Sequence, residues 1–333
     1  MARRNGRAEI GNVSATRRVL LDSDTGVDDS LAILVVLAMP GVELLGIGST
    51  YGNCRTGQAA RNALCTLEAA GADQVPVAEG VPEPAGAEPL IAFAAPVHGS
   101  DGLGDAGFRP ARLRVTGESA VDQLVRVSGT RGAEVDLIAL GPLTNLAAAL
   151  DRDPEVLARF HSITVMGGMG PDWLARAPSE RHPGFLEVGD PNTRHNPAAA
   201  AALAACRAPV TWVGMNVTGG ILLPESLLER AAEAGGRKAL FARATHRVYS
   251  SFVTERSGSA ERVFTAHDSI AAMAALDPDA VLQQVDGTPY LGSAAEGRPA
   301  LWGRPPQPGE AVHRFVTSID RDRLEWRLLE ALA

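Results

Sequence analysis

Residues 19–29 read Val-Leu-Leu-Asp-Ser-Asp-Thr-Gly-Val-Asp-Asp, and residues 31–39 continue with an unbroken apolar run, Leu-Ala-Ile-Leu-Val-Val-Leu-Ala-Met. An apolar stretch that ends in a Gly-containing turn and passes straight into a second apolar stretch spells strand, turn, helix. A strand over 18–22 and a helix over 28–38, stopped by Pro40-Gly41, are expected. Asp22 and Asp24 are two residues apart and therefore share a face of the strand. Asp28 and Asp29 fall in the first turn of the helix, and Gly26 permits the tight turn between them. Four carboxylates are thereby gathered at the C-terminal end of a core strand, where open α/β sheets place their ligands. A hard divalent cation relieves such crowding, and oxygen ligands without His or Cys select Ca²⁺ or Mg²⁺ over Zn²⁺. A plainer reading stands beside it, in which Asp28 and Asp29 favour the helix dipole while Asp22 and Asp24 cap a turn.

The same alternation continues along the chain. Strands are expected at 43–50, 75–78, 135–140, 162–166 and 210–215, and helices at 56–70, 118–127, 143–150 and 197–206. Residues 80–110 and 167–195 read as long loops, residues 224–278 as mainly helical, and 321–332 as an amphipathic helix. Strands alternating with helices imply an α/β fold: one large domain over 18–333 with a mostly parallel, Rossmann-like central sheet flanked by helices. Residues 1–17, rich in Arg and without an apolar stretch behind them, are expected to form a flexible N-terminal tail rather than a signal peptide.

The composition narrows the function. The chain has 333 residues, 45% of them hydrophobic and 21% charged, which is ordinary for a globular protein and ample for a large core. A formal net charge of −8 argues against nucleic acid as the main partner. The apolar run at 31–39 is far short of the roughly 20 residues that a membrane span needs, so no membrane association is expected. Three cysteines, Cys54, Cys65 and Cys206, show no ligand spacing and fit a reduced, cytoplasmic setting.

Five further segments carry polar residues that a core does not demand: Tyr51-Gly52-Asn53, His98-Gly99-Ser100-Asp101-Gly102-Leu103-Gly104, Leu140-Gly141-Pro142-Leu143-Thr144-Asn145, Gly189-Asp190-Pro191-Asn192, and Ala266-His267-Asp268. Singly, each can be a turn, a helix N-cap or a solvated loop. Their joint occurrence after strand ends points to a site.

Together and in this order, the segments resemble the nucleoside hydrolase family of the inosine-uridine preferring type. The family's opening Asp-x-Asp-Pro-Gly-x-Asp-Asp is matched by Asp22-Ser23-Asp24-Thr25-Gly26-Val27-Asp28-Asp29, with Thr25 where the family has Pro. Gly52-Asn53, His98-Gly99, Gly141-Pro142-Leu143-Thr144-Asn145, Val165-Met166-Gly167-Gly168 and His267-Asp268 follow, so the resemblance covers residues 19–278. It implies calcium-dependent hydrolysis of the N-glycosidic bond of ribonucleosides, releasing free base and ribose. It implies Ca²⁺ held by Asp24, Asp29, the backbone carbonyl of Leu140 and Asp268, and a sugar bound by Asp28, Asn53, Asp190 and Asn192. His98 is placed with the substrate-binding residues. Asp24 would be the general base and His267 the acid that protonates the departing base, its charged form favoured by the carboxylates around it. A homodimer or homotetramer is implied as well. The chain departs from the family at Asp190, where Glu is usual, and the family's upstream Gly-Asn has no counterpart in 170–184.

Two other readings are weighed. Asp22-Ser23-Asp24-Thr25 after an apolar strand also suits a haloacid-dehalogenase-like phosphatase, with Asp22 as nucleophile. That class needs a Lys partner, and the chain's one Lys, Lys238, is followed by no suitable acidic pair. The other reading is a non-catalytic, calcium-dependent nucleoside- or sugar-binding protein. A P-loop is excluded by the absence of its glycine-lysine signature.

Overall fold

The computed structural model describes residues 16–84, 88–174, 190–208, 210–293 and 300–333. The expected tail lies outside them except for its last two residues, and Arg17 already belongs to the first strand.

In β1 (Arg17–Ser23), Val19, Leu20 and Leu21 are all buried, as in a strand covered on both faces. Then come α1 (Val27–Ala38), β2 (Val42–Ser49), α2 (Thr56–Ala70), β3 (Val77–Ala78), α3 (Glu88–His98) and α4 (Ala120–Arg131). The chain continues through β4 (Val135–Ala139), α5 (Thr144–Arg152), β5 (Ser162–Met166), α6 (Pro191–His195), α7 (Pro197–Ala204), β6 (Val210–Val213) and α8 (Met215–Thr218). A two-stranded ribbon, β7 (Leu223–Pro224) with β8 (Val263–Phe264), brackets α9 (Ser226–Glu233) and α10 (Arg237–Ser257). The chain ends with α11 (His267–Leu276), β9 (Val281–Leu291), β10 (Leu301–Arg304), β11 (His313–Ile319) and α12 (Arg321–Leu332).

The nine-stranded sheet has the order β10-β9-β11-β6-β5-β4-β1-β2-β3, and the run from β11 to β3 is parallel throughout. From β1 the chain steps outward to β2 and β3, then returns to β4 and steps the other way. The point of reversal between β1 and β4 opens a crevice above their C-terminal ends, the place where such sheets bind ligands. One apolar core lies on the face covered by α1, α2, α10, α11 and α12; a second lies under α4, α5 and α7. Helix α1 is buried along almost its whole length, which is why its sequence is apolar all round. The turn before it depends on Gly26: a Cβ there would lie 2.6 Å from both Asn53 Nδ2 and His98 Nδ1.

The sequence reading is corrected in four places. The expected loop at 80–110 contains α3, in which Pro89 stands in the tolerant first turn and Pro96, inside the helix, forgoes one hydrogen bond near its end. The expected loop at 167–195 ends in α6, begun by Asp190 and Pro191. The strand expected at 210–215 ends at Val213, and Met215 opens α8. Residues 281–319, unread in the sequence, extend the sheet with β9 antiparallel to both β11 and β10. Strand β9 carries Gly287 and Pro289, and in its first half the exposed run Leu282, Gln283 and Gln284 breaks any apolar alternation.

Candidate active site

The crest of β1 distributes its carboxylates among different tasks. Asp22 Oδ2 accepts a hydrogen bond from Asn145 Nδ2 (2.8 Å), and burial pushes the Asp22 pKa up to about 7. Asn145 Nδ2 also donates to the Ser49 carbonyl (2.8 Å), and Asn145 Oδ1 accepts from the Val81 N–H (2.9 Å). The Gly-Pro-Leu-Thr-Asn segment after β4 is thus a tie between strand ends, and Asp22 belongs to that tie rather than to the acidic cluster. Where the family has Pro, the Thr25 N–H is satisfied by Ser23 Oγ (3.0 Å), and the Thr25 hydroxyl meets the same oxygen (2.9 Å).

The cluster itself is built from helix starts. Asp29 Oδ1 accepts from Ser23 Oγ (2.7 Å), and its Oδ2 accepts from the Gly26 N–H (2.9 Å) and from Asn53 Nδ2 (2.9 Å). Carboxylate oxygens of Asp28, Asp29 and, from the first turn of α11, Asp268 lie within 4.8 Å of one another. Asp24 Oδ2 accepts from the Asn53 N–H (2.8 Å), while its Oδ1 is buried without a partner. Gly52 makes room for this: a Cβ there would lie 2.0 Å from Asp24 Oδ2. Burial, then the charge of Asp29, raises the Asp28 pKa to about 8. Asp24 and Asp268 are held well above the ordinary carboxylate range, first by burial and then by Asp29 and Asp28 respectively.

Crowded, buried carboxylates with an orphaned oxygen form a donor set that fits a hard divalent cation. The tightest trio contains Asp28 where the resemblance implied Asp24. The Leu140 carbonyl, the fourth implied ligand, accepts from Asn192 Nδ2 (2.8 Å), which leaves its second lone pair available.

Above the cluster lies a cavity lined by Asp28, Asn53, His98, Leu140, Asn192, His267 and Asp268, with Tyr249, Phe252 and Arg256 opposite them on one face of α10. The structure therefore brings seven of the expected site residues together. His98 Nδ1 accepts from the Val27 N–H (3.2 Å) and lies 3.9 Å from Asp28 Oδ1, beyond hydrogen-bonding reach. His267 Nδ1 pairs with Thr218 Oγ1 at 2.8 Å. Burial lowers the His267 pKa to about 4, so the imidazole is neutral at pH 7; the expected charged form is overruled by loss of hydration.

Asp190 is the clearest departure. It caps α6: its Oδ1 accepts from the Asn192 N–H (3.2 Å), and its Oδ2 accepts from the Thr193 N–H (2.8 Å) and Thr193 Oγ1 (2.6 Å). Fully committed there, it does not line the cavity, whereas its expected companion Asn192 does. Gly189 and residues 175–184, where the family's Gly-Asn was sought, lie outside the described residues.

Other wall residues were not found from the sequence. Tyr249, Phe252, Val253 and Arg256 recur at helical spacing in α10 and line the cavity together, a pattern that was there to be read. Pro191, Arg194 and His195 of α6, Ala94 and Val97 of α3, and Met166 and Met215 complete it. Lys238, which a phosphatase would require in the site, is not among the cavity residues. Among the described residues, no helix is long and apolar enough to cross a membrane.

Comparison with known proteins identifies the family. A profile of the inosine-uridine preferring nucleoside hydrolase family matches residues 19–325. Probable uridine nucleosidase 2 of Oryza sativa subsp. japonica is 34% identical over 232 residues, which take in 67% of this chain and 64% of that protein, just under two thirds of its length. The structure of a plant nucleoside hydrolase superposes with a TM-score of 0.83 at 26% identity, covering 95% of this chain and 99% of its own. A purine-preferring ribonucleoside hydrolase from Gardnerella vaginalis gives 0.82 at 27% identity, covering 95% and 98%.

Proposed function

Because this chain belongs to the inosine-uridine preferring nucleoside hydrolase family and is an N-glycosyl hydrolase, we propose that it cleaves ribonucleosides to free base and ribose with calcium as its metal. The observation that carries the reading is the convergence of Asp28, Asp29 and Asp268 near Asp24, whose Oδ1 is buried and unpartnered, with Asp28 and Asp268 reaching the cavity while Asp24 and Asp29 lie behind them.

Asp24, Asp29, Asp268 and the Leu140 carbonyl would hold the ion, with Asp28 beside them. When bound, calcium orients a water and the sugar diol and makes that water more acidic. Asp24 Oδ1 accepts the proton of the attacking water as general base. Asp28, Asn53 and Asn192 receive the sugar hydroxyls. Cleavage builds positive charge on the ribose, as in other glycosidic hydrolyses, and the carboxylates below stabilise it. His98, Tyr249 and Phe252 enclose the base. His267, neutral and anchored by Thr218, donates a hydrogen bond to the base as it departs.

The test is release of reducing sugar and free base across a nucleoside panel, with exhaustive chelation and calcium add-back. Turnover that depends on calcium supports the reading. Undiminished turnover in metal-free protein overturns the metal assignment, and binding of nucleosides without their depletion overturns catalysis. The homodimer or homotetramer implied by the resemblance is checked by light scattering on the eluted protein.

A further inference from the structure

Asp190 leaves one position on the sugar-facing wall without its expected partner, and the same short helix supplies another candidate. His195 lies at the end of α6 and lines the cavity together with Pro191, Asn192 and Arg194. Its backbone carbonyl accepts from the Tyr51 hydroxyl (3.1 Å), which holds the residue in place. Both its ring nitrogens, Nδ1 and Nε2, are buried, and neither has a hydrogen-bond partner in the protein. Buried polar atoms are nearly always paired, so an unpartnered pair on a cavity wall calls for a ligand group.

Which group follows by elimination, given the proposed nucleoside substrate on which this inference rests. A ribonucleoside presents a ring diol, the edge of its base and a 5′-hydroxyl. The diol belongs over the carboxylate floor, and the base belongs against His98, His267, Tyr249 and Phe252. The 5′-hydroxyl remains, and His195 remains unpaired. We propose that His195 binds the 5′-hydroxyl of the nucleoside and sets the enzyme's specificity for it. A neutral imidazole has one donor and one acceptor nitrogen, and a hydroxyl can answer either. Burial and the neighbouring Arg194 guanidinium lower the His195 pKa to about 4, so the ring is neutral at pH 7.

The experiment compares kcat and KM of the parent, His195→Phe and His195→Gln, all loaded with calcium. The substrates are the best-cleaved riboside of the panel and its 5′-deoxy analogue. The parent should favour the riboside by about tenfold to a hundredfold in kcat/KM, the worth of one buried hydrogen bond. His195→Phe should lose that preference, falling by the same factor on the riboside and by less than about twofold on the 5′-deoxy analogue. His195→Gln, which keeps a donor and an acceptor, should recover part of it. Calorimetry with ribose against 5-deoxyribose should show the same difference without turnover. A parent that treats both substrates alike overturns the proposal without any variant. Equal losses of His195→Phe on both substrates also overturn it, while leaving nucleoside hydrolysis intact. Failure of the parent to cleave any nucleoside refutes the underlying function, a distinguishable result.

Discussion

Stripping the metal should make this protein progressively less stable as the pH rises from 7.5 to 8.5, and calcium should remove most of that slope. Asp22 and Asp28 have folded pKa values raised from an ordinary 3.8 to about 7 and about 8. A raised carboxylate contributes stability below its unfolded pKa and loses it as the pH climbs through the folded value, because the folded state then binds more protons than the unfolded chain. The buried histidines act in the opposite sense. His98 is lowered to about 3, and His195, His246 and His267 to about 4, so their contributions are complete above an unfolded value near ~6.5 and disappear only as the pH falls toward 4. The window from 7.5 to 8.5, a unit or more above that unfolded value, therefore isolates the acids. Integrating the proton release of Asp28 and Asp22 over it costs about 1 kcal/mol, most of it from Asp28, and the raised acids Asp24 and Asp268 act in the same direction. For a chain of this size that is a fall in Tm of roughly 1–2 °C. With saturating calcium, Asp28 stays ionised at both ends of the window and only the smaller Asp22 share persists. Thermal melts in chelator and in calcium, at half-unit pH steps, measure both curves. A chelated Tm that is flat or rising across the window, or a calcium-induced gain equal at pH 7.5 and pH 8.5, refutes the picture of crowded, partly protonated carboxylates awaiting a cation.

Asp24→Asn should lower kcat by at least ~10²-fold while raising the Tm of the metal-free protein, since it removes both the base and a buried carboxyl whose ionisation burial and Asp29 oppose; a variant within a few-fold of the parent in kcat would show the base to be elsewhere. Asn192→Ala should weaken ribosides by about 1–3 kcal/mol and spare the deoxy analogue that lacks the hydroxyl it contacts, and equal losses on all analogues would assign Asn192 to its ties with the Leu140 and Met166 carbonyls alone. His267→Ala should cripple hydrolysis of natural nucleosides and leave a nitrophenyl riboside nearly unaffected, because that leaving group departs without help; a uniform loss on both would make His267 a structural partner of Thr218.

The strand, turn and helix over residues 17–38 were legible because every interaction that defines them is local: an apolar strand, a glycine where no side chain fits, and acids in a helix's first turn. The parallel order of the sheet followed from the alternation. What escaped depends on pairing across the chain. Strands β9 to β11 are defined by partners that their own sequence does not announce, and Tyr249, Phe252 and Arg256 reach the site from a helix whose spacing was visible but whose destination was not.

Asp29 and Asp190 show why a motif match places a residue without placing its lone pairs. Both are acids at the start of a helix, and both carboxylates accept a backbone N–H there. Asp29 sits inside α1 and reaches back to the Gly26 N–H, so its oxygens still lie beside those of Asp28 and Asp268. Asp190 stands before Pro191 and reaches forward to the Asn192 and Thr193 N–H groups, with the Thr193 hydroxyl taking what remains. A Glu at this position would have one more methylene with which to leave the helix end and enter the cavity; an Asp is at its best length for the cap. The shortening that the sequence displayed at Asp190 thus changes the residue's task rather than moving its contact by a bond length. The sugar wall is left to Asn192 and to the unpaired ring of His195.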